Sequence, residues 1–147
     1  FWRFNRLKRP IKVLMQFTRK GDYALRAMAY LANSISPNPH TINEISEKSG
    51  VPRHFLAKIL KDLAEAGLLV AVKGAKGGYS LAKNPAEINL LDIMEGTLGP
   101  MALNICLEGE NRCPELKGCE FYPIWQKASD AMLNVFRETN LKSLHHQ

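Results

Sequence analysis

Apolar positions recur at helical spacing over most of the chain, and the exceptions to that rhythm define its organisation. From Thr18, a suitable N-cap, Ala24, Leu25, Met28, Ala29, Leu31 and Ala32 follow at three- and four-residue steps, which predicts a first helix ending near Ser34. Pro37 and Pro39 then turn the chain. A short second helix is expected from Asn43 to Ser49, with Thr41 as cap and Gly50 as terminator. Val51 and Pro52 form a tight connection, and Pro52 suits the first turn of a third helix over Arg53–Ala66. Phe55, Leu56, Ile59, Leu60 and Leu63 are expected to face inward. Arg53, His54, Lys58, Lys61, Asp62 and Glu65 are expected to face out.

The rhythm then changes. Leu68–Lys73 and Tyr79–Ala82 read as β-strands joined by Gly74-Ala75-Lys76-Gly77-Gly78, a glycine-rich hairpin tip. Helix, helix, turn, helix and a lysine-bearing hairpin form the order of a winged helix-turn-helix, against the blander reading of a generic α+β fold with solvated charges. Asn89 can cap a fourth helix through Leu90, Leu91, Ile93 and Met94 to Thr97, and Gly99-Pro100 breaks it. Phe121, Ile124, Trp125, Ala128, Met132, Val135 and Phe136 then trace an apolar stripe along a long final helix. That stripe is too aromatic for a small monomer to cover, and it is read as a homodimer interface rather than as packing on helices one and four. The fold class is therefore mainly α with a small β-wing: a winged helix-turn-helix followed by a sensor loop and a long dimerisation helix.

Charge divides the chain in the same way. Of the net charge of +6, residues 1–14 supply five basic groups and no acid. Residues 15–84 hold ten basic against five acidic groups, and residues 85–147 hold five against nine. Three segments follow: a basic extension (1–14) expected to be disordered or non-native, a DNA-binding region (15–84), and a sensor-loop and dimerisation region (85–147). The basic region suits an anionic polymer, whereas the acidic half has another task. The extension lacks the apolar stretch and cleavage site of a secretory signal; a basic arm touching DNA is the alternative. No apolar run approaches the ~18 residues of a membrane span.

All three cysteines, Cys106, Cys113 and Cys119, lie within fourteen residues of polar, glycine- and proline-containing loop. Core cysteines are usually scattered, so a metal or cluster site explains this grouping better than packing does. An odd number opposes a closed disulfide framework and fits a reducing cytoplasm. Soft thiolates suit iron–sulfur clusters and zinc alike, and a cluster-free thiol switch also stays open. Zinc would need a fourth cysteine or a histidine, but His40 and His54 belong to the reading head and His145 and His146 to the tail. No nucleophile–base pair or phosphate loop supports an enzyme; Gly74–Gly78 lies between two strands. An iron–sulfur carrier that never binds DNA is the competing class.

Met15-Gln-Phe-Thr-Arg-Lys-Gly-Asp-Tyr-Ala-Leu-Arg26, the Gly50-Val-Pro turn, Lys73-Gly-Ala-Lys-Gly-Gly-Tyr79, Leu91-Asp-Ile-Met-Glu95 and the cysteine loop together resemble the Rrf2 family of bacterial regulators, from Met15 to about Leu144. The resemblance implies a dimeric winged-helix regulator of transcription, a repressor or an activator, acting on a pseudo-palindromic double-stranded DNA operator. In the cluster-binding branch, IscR- and NsrR-like, it implies a [2Fe-2S] or [4Fe-4S] cluster on Cys106, Cys113 and Cys119, responsive to redox state, iron–sulfur status or nitric oxide. The IscR-like histidine three residues after the last cysteine is replaced by Tyr122. The NsrR-like aspartate of the partner subunit matches Asp22, which becomes the candidate fourth ligand; its plainer role is an acid near a helix N-terminus.

By the same match, Pro52, Arg53, His54, Phe55, Ala57 and Lys58 would contact DNA from the third helix. Lys58 can donate to guanine, and Phe55 can contact a thymine methyl or the backbone. Lys73 and Lys76 on the wing would reach phosphates or the minor groove, and Thr18, Arg19 and Lys20 would add backbone contacts. Lys61 is expected to be a solvated charge.

Overall fold

The structure, a computed structural model, describes residues 18–108 and 113–144. The basic extension (1–14), Met15, residues 109–112 of the cysteine loop, and His145 and His146 lie outside the described residues.

The elements run α1 (Arg19–Asn33), α2 (Ile42–Ser49), α3 (Arg53–Glu65), β1 (Leu69–Val72), β2 (Gly78–Leu81), α4 (Leu90–Leu98) and α5 (Tyr122–Glu138). Short 3-10 turns occupy Pro85–Glu87, Ile105–Leu107 and Leu141–Ser143. The helix starts follow the cap residues. Thr18, Thr41 and Asn89 each accept a hydrogen bond from a first-turn amide, at 3.4, 3.2 and 2.8 Å, satisfying donors that have no partner within the helix. α2 begins one residue before the expected Asn43, directly after its cap. Gly50 ends it in the left-handed conformation, with φ 69°.

α1, α2 and α3 enclose one core. Ala24, Ala27, Met28, Leu31, Ile45, Val51, Leu56, Ile59, Leu60 and Leu63 are all buried. The same cluster continues across residue 84 into Ile88, Ile93 and Leu141. Burying a side chain of this size contributes about 1.5–3 kcal/mol before cavity and strain effects. α1 and α4 approach closely at Gly21, where an added Cβ would lie 3.0 Å from Met94 Cε and 3.1 Å from Leu98 Cδ1. That approach brings the start of α1 beside the end of α4.

β1 and β2 form an antiparallel hairpin with Leu69 opposite Leu81 and Val72 opposite Gly78. Each strand lies within one residue of its expected span. The hairpin does not stand alone: His40, in the α1–α2 connection, pairs with Tyr79 in both directions, N to O at 2.9 Å and O to N at 2.8 Å. The wing is thereby stitched to the helical head. At the other end, Leu90 N donates to Thr139 O (2.9 Å) and Leu141 N to Ile88 O (3.0 Å), returning the chain after α5 to the start of α4. Among the described residues, no helix is long and apolar enough to cross a membrane.

Candidate nucleic-acid interface and cysteine loop

α3 presents two faces. Leu56, Ile59, Leu60 and Leu63 are buried, while Pro52, Arg53, His54, Ala57, Lys58 and Lys61 are exposed. The turn before it is held by Val51, which is buried, and by Ser46 Oγ donating to the Val51 carbonyl at 2.7 Å. This fixes the angle at which α3 leaves α2.

Two positions on α3 differ from expectation. Phe55 is not an inward residue: it is 39% exposed, its ring 5.2 Å from Tyr23 and 4.1 Å from the His54 ring. It lies in the first turn, at the margin of the core, where one side of the ring stays open. Asp62 is not a solvated acid: its side chain is 15% exposed and lies 2.6 Å from Lys20 Nζ. Lys58 Nζ also reaches Asp62, at 3.3 Å. The Lys20 ammonium, aided by Lys58, holds the Asp62 carboxyl below the usual aspartate range against the opposing effect of burial.

The remaining charged candidates are placed as follows. Lys73 and Lys76 are exposed in and beside the wing tip, and Thr18 and Arg19 are exposed at the start of α1. Lys20 is half-buried and also donates to the Thr97 carbonyl at the end of α4. Asp22, in the first turn of α1, is paired with Arg26 at 2.9 Å on an open surface. Lys61 pairs with Glu65 at 3.6 Å, also in solvent.

A polar network that sequence reasoning missed sits beneath the wing. Glu44 Oε1 accepts from Tyr30 Oη at 2.9 Å and contacts His40 Nδ1 at 2.8 Å, with Tyr30 Oη and His40 Nδ1 3.1 Å apart. His40 is buried. Burial, then the hydrogen bond and charge of Glu44, push the Tyr30 phenol up to about 12. Hydrogen bonds from His40 and then Tyr30 lower the Glu44 carboxyl. His40 stands before the α2 cap Thr41, outside the helix, so its spacing from Glu44 carried no helical signal, and Tyr30 joins them only through the fold.

The cysteine loop connects α4 to α5. Cys106 is buried in the turn Ile105–Leu107, which Asn104 caps at 2.8 Å, whereas Cys113 and Cys119 are half-buried. Turn hydrogen bonds link Leu116 N to Cys113 O at 3.3 Å and Tyr122 N to Cys119 O at 3.3 Å. All three thiols are free. Their soft-donor chemistry suits iron, but among the described residues no three His, Cys, Asp or Glu side chains gather closely enough to hold a metal ion. Tyr122, three residues after the last cysteine, opens α5.

α5 carries the apolar stripe outward. Phe121, Ile124, Trp125, Ala128 and Val135 are exposed and Met132 and Phe136 half-buried; Ser129 is the one residue of this helix that the protomer fully buries.

Comparison with known proteins agrees with this arrangement. A family described as Rrf2, iron-dependent transcriptional regulator, matches residues 17–147. A putative HTH-type transcriptional regulator of Aquifex aeolicus is 33% identical over 132 residues, covering 88% of this chain and 91% of the relative. The HTH-type transcriptional regulator NsrR of Shouchella clausii is 30% identical over 131 residues, 88% of each. Among solved structures, CymR, the global cysteine regulator of B. subtilis, superposes with a TM-score of 0.68 at 27% identity, covering 87% of this chain and 94% of CymR. T. potens IscR gives 0.67 at 25% identity, covering 90% and 94%.

Proposed function

The chain belongs to the Rrf2 family of transcriptional regulators, and from that premise we propose that it is a cytoplasmic homodimeric repressor whose affinity for a pseudo-palindromic operator is set by an iron–sulfur cluster on Cys106, Cys113 and Cys119. The observation that carries this reading is the presence of three free thiols in the one loop that leads from the winged head into an uncovered apolar helix. Asp22 of the partner subunit is the proposed fourth ligand, since it stands exposed in the first turn of α1. The resemblance to NsrR-like proteins supports that choice, and Tyr122 argues against an IscR-like one.

A bound cluster supplies a group whose oxidation, loss or nitrosylation changes how the loop is held. The remaining work falls to the chain itself. The exposed side of α3 enters the major groove, with Arg53, His54 and Phe55 at its N-terminal end and Lys58 one turn on, offering a donor to guanine. Pro52 and Ala57 keep the backbone close to the bases. Lys73 and Lys76 on the wing, with Thr18 and Arg19, meet phosphates. Phe121, Ile124, Trp125, Ala128, Met132, Val135 and Phe136 pair with their counterparts in a second copy, which sets the separation of the two reading helices.

A thiol-controlled regulator without a cluster is the second reading. The likeness to the cysteine regulator CymR favours it. Anaerobic purification with a visible spectrum, iron assay and acid-labile sulfide assay separates the two. A brown protein with stoichiometric iron and sulfide, bleached by Cys106→Ala, supports the cluster sensor. A colourless protein after reconstitution turns the reading to the thiol switch. Cluster-dependent DNA affinity that persists in Cys113→Ala would refute control through this loop.

A further inference from the structure

Lys20 stands where three segments meet. Its ammonium lies 2.6 Å from Asp62 Oδ2 on α3 and donates to the carbonyl of Thr97 in the last turn of α4. That carbonyl is one of the helix-end acceptors without an intrahelical partner, so a cation is favoured there both by hydrogen bonding and by the helix dipole. Two residues later Gly99 and Pro100 turn the chain towards Cys106. On the far side of Asp62, Oδ1 accepts from Lys58 at 3.3 Å. The path therefore runs from the root of the cysteine loop, through Lys20 and Asp62, to the lysine on the exposed face of α3.

The two halves of this path are unequal. The side chains of Lys20 and Asp62 are 32% and 15% exposed, while that of Lys58 is 75% exposed. A shorter contact in a drier setting gains more from the same charges than a longer one in water. Lys20 is thus the principal counter-charge of Asp62, and Lys58 the lesser one. If Lys20 is withdrawn, the half-buried carboxylate is left with Lys58 as its ion-pair partner.

We propose that Lys20 is a positioning residue that relays the state of the loop root to the reading helix. Anchored between the Thr97 carbonyl and Asp62, it leaves Lys58 only the longer, solvent-exposed contact of 3.3 Å, which a base can displace; when the end of α4 moves and the anchor loosens, Asp62 holds Lys58 more firmly. This assigns Lys20 a role other than the phosphate contact expected from sequence. It rests on the reading of α3 as the DNA-facing helix.

The test uses the full chain and an operator recovered by that chain from a randomised duplex pool, with fluorescence anisotropy at several salt concentrations. Lys20→Met is expected to weaken operator binding by about fivefold, with the salt slope unchanged. Asp62→Asn in the Lys20→Met background is expected to restore affinity to within about twofold of the parent, because the competing carboxylate is gone. A salt slope lower by about one charge in Lys20→Met would make Lys20 a phosphate contact, and a double variant no better than Lys20→Met would remove Asp62 from the path; either result overturns the proposal. A second measurement needs no DNA. Carbon-detected NMR titration of the Asp62 carboxyl should show Lys58→Met shifting its midpoint more in the Lys20→Met background than in the parent. Equal shifts overturn the relay, whereas a larger shift in a chain that selects no DNA would overturn the regulator reading alone.

Discussion

Replacing Gly78 by alanine would place a methyl group 2.3 Å from the His40 carbonyl oxygen and 2.5 Å from its carbon. Both atoms are backbone, so no flexible side chain can yield. The φ of +154° at Gly78 adds a conformation that L-residues rarely adopt. Relief requires β2 and the His40 segment to part, which breaks the paired bonds of 2.9 and 2.8 Å between His40 and Tyr79. Two such bonds at a net ~0.5–1.5 kcal/mol each give about 1–3 kcal/mol. Backbone strain adds about 1–2 kcal/mol, for a total of about 2–5 kcal/mol. Against a total stability of about 5–15 kcal/mol for an ordinary domain, the head should stay folded while the wing detaches. Urea unfolding gives the global loss, and hydrogen exchange locates it: the Tyr79 and His40 amides should lose protection while Met28 and Leu60 keep theirs. DNA affinity should fall with the wing, since Lys73 and Lys76 are no longer held against the head. A variant within about 0.5 kcal/mol of the parent, with the Tyr79 amide still protected, would refute the claim that this close approach docks the wing.

Further outcomes follow from the same geometry. Lys58→Ala should narrow the gap between operator and scrambled DNA, whereas Lys76→Ala should weaken both alike and lower the salt slope by about one; equal losses on both DNAs for both variants would refute that division. Ile124→Asp or Trp125→Glu should shift the protein from dimer to monomer in sedimentation velocity, with little change in thermal stability of the head, because both side chains are exposed in the protomer. The depressed Glu44 carboxyl contributes stability that is complete above the ordinary glutamate range and lost as pH falls through its lowered folded value. Glu44→Gln should therefore flatten the acid limb of a plot of melting temperature against pH. An unchanged limb would show that the Tyr30–His40–Glu44 network does not couple to folding.

Much of this architecture could be read from local signals. The caps Thr18, Thr41 and Asn89, the Gly50-Val51-Pro52 turn and the buried stripe of α3 act within a few residues, and each element lies close to where the sequence put it. The two misread positions on α3 have another origin. Phe55 fits the apolar period, but the period does not say where the core ends, and Tyr23 covers only part of its ring. Asp62 fits the polar face, yet the start of α1 crosses it and brings Lys20, forty-two residues away in the chain. Nothing local encodes that pairing. The Tyr30–His40–Glu44 network was hidden for the same reason, as was the return of Leu141 to the core. The cysteine grouping was plain in the sequence, whereas among the described residues no three metal-ligating side chains gather at one point.

The two backbone hydrogen bonds that tie Thr139 and Leu141 to the start of α4 have a mechanical consequence. They make the C-terminal end of α5 a fulcrum. The helix has seventeen residues, hence a rigid arm of about 25 Å at 1.5 Å per residue. The cysteine loop sits at the far tip. A displacement of ~2 Å at that tip corresponds to a tilt of only about 5° at the fulcrum, the scale of motion that packed helices allow. If α5 is clasped against its twin, the arm is the fixed part and the heads swing. Small changes in the loop then become angular changes between two heads rather than distortions within either one.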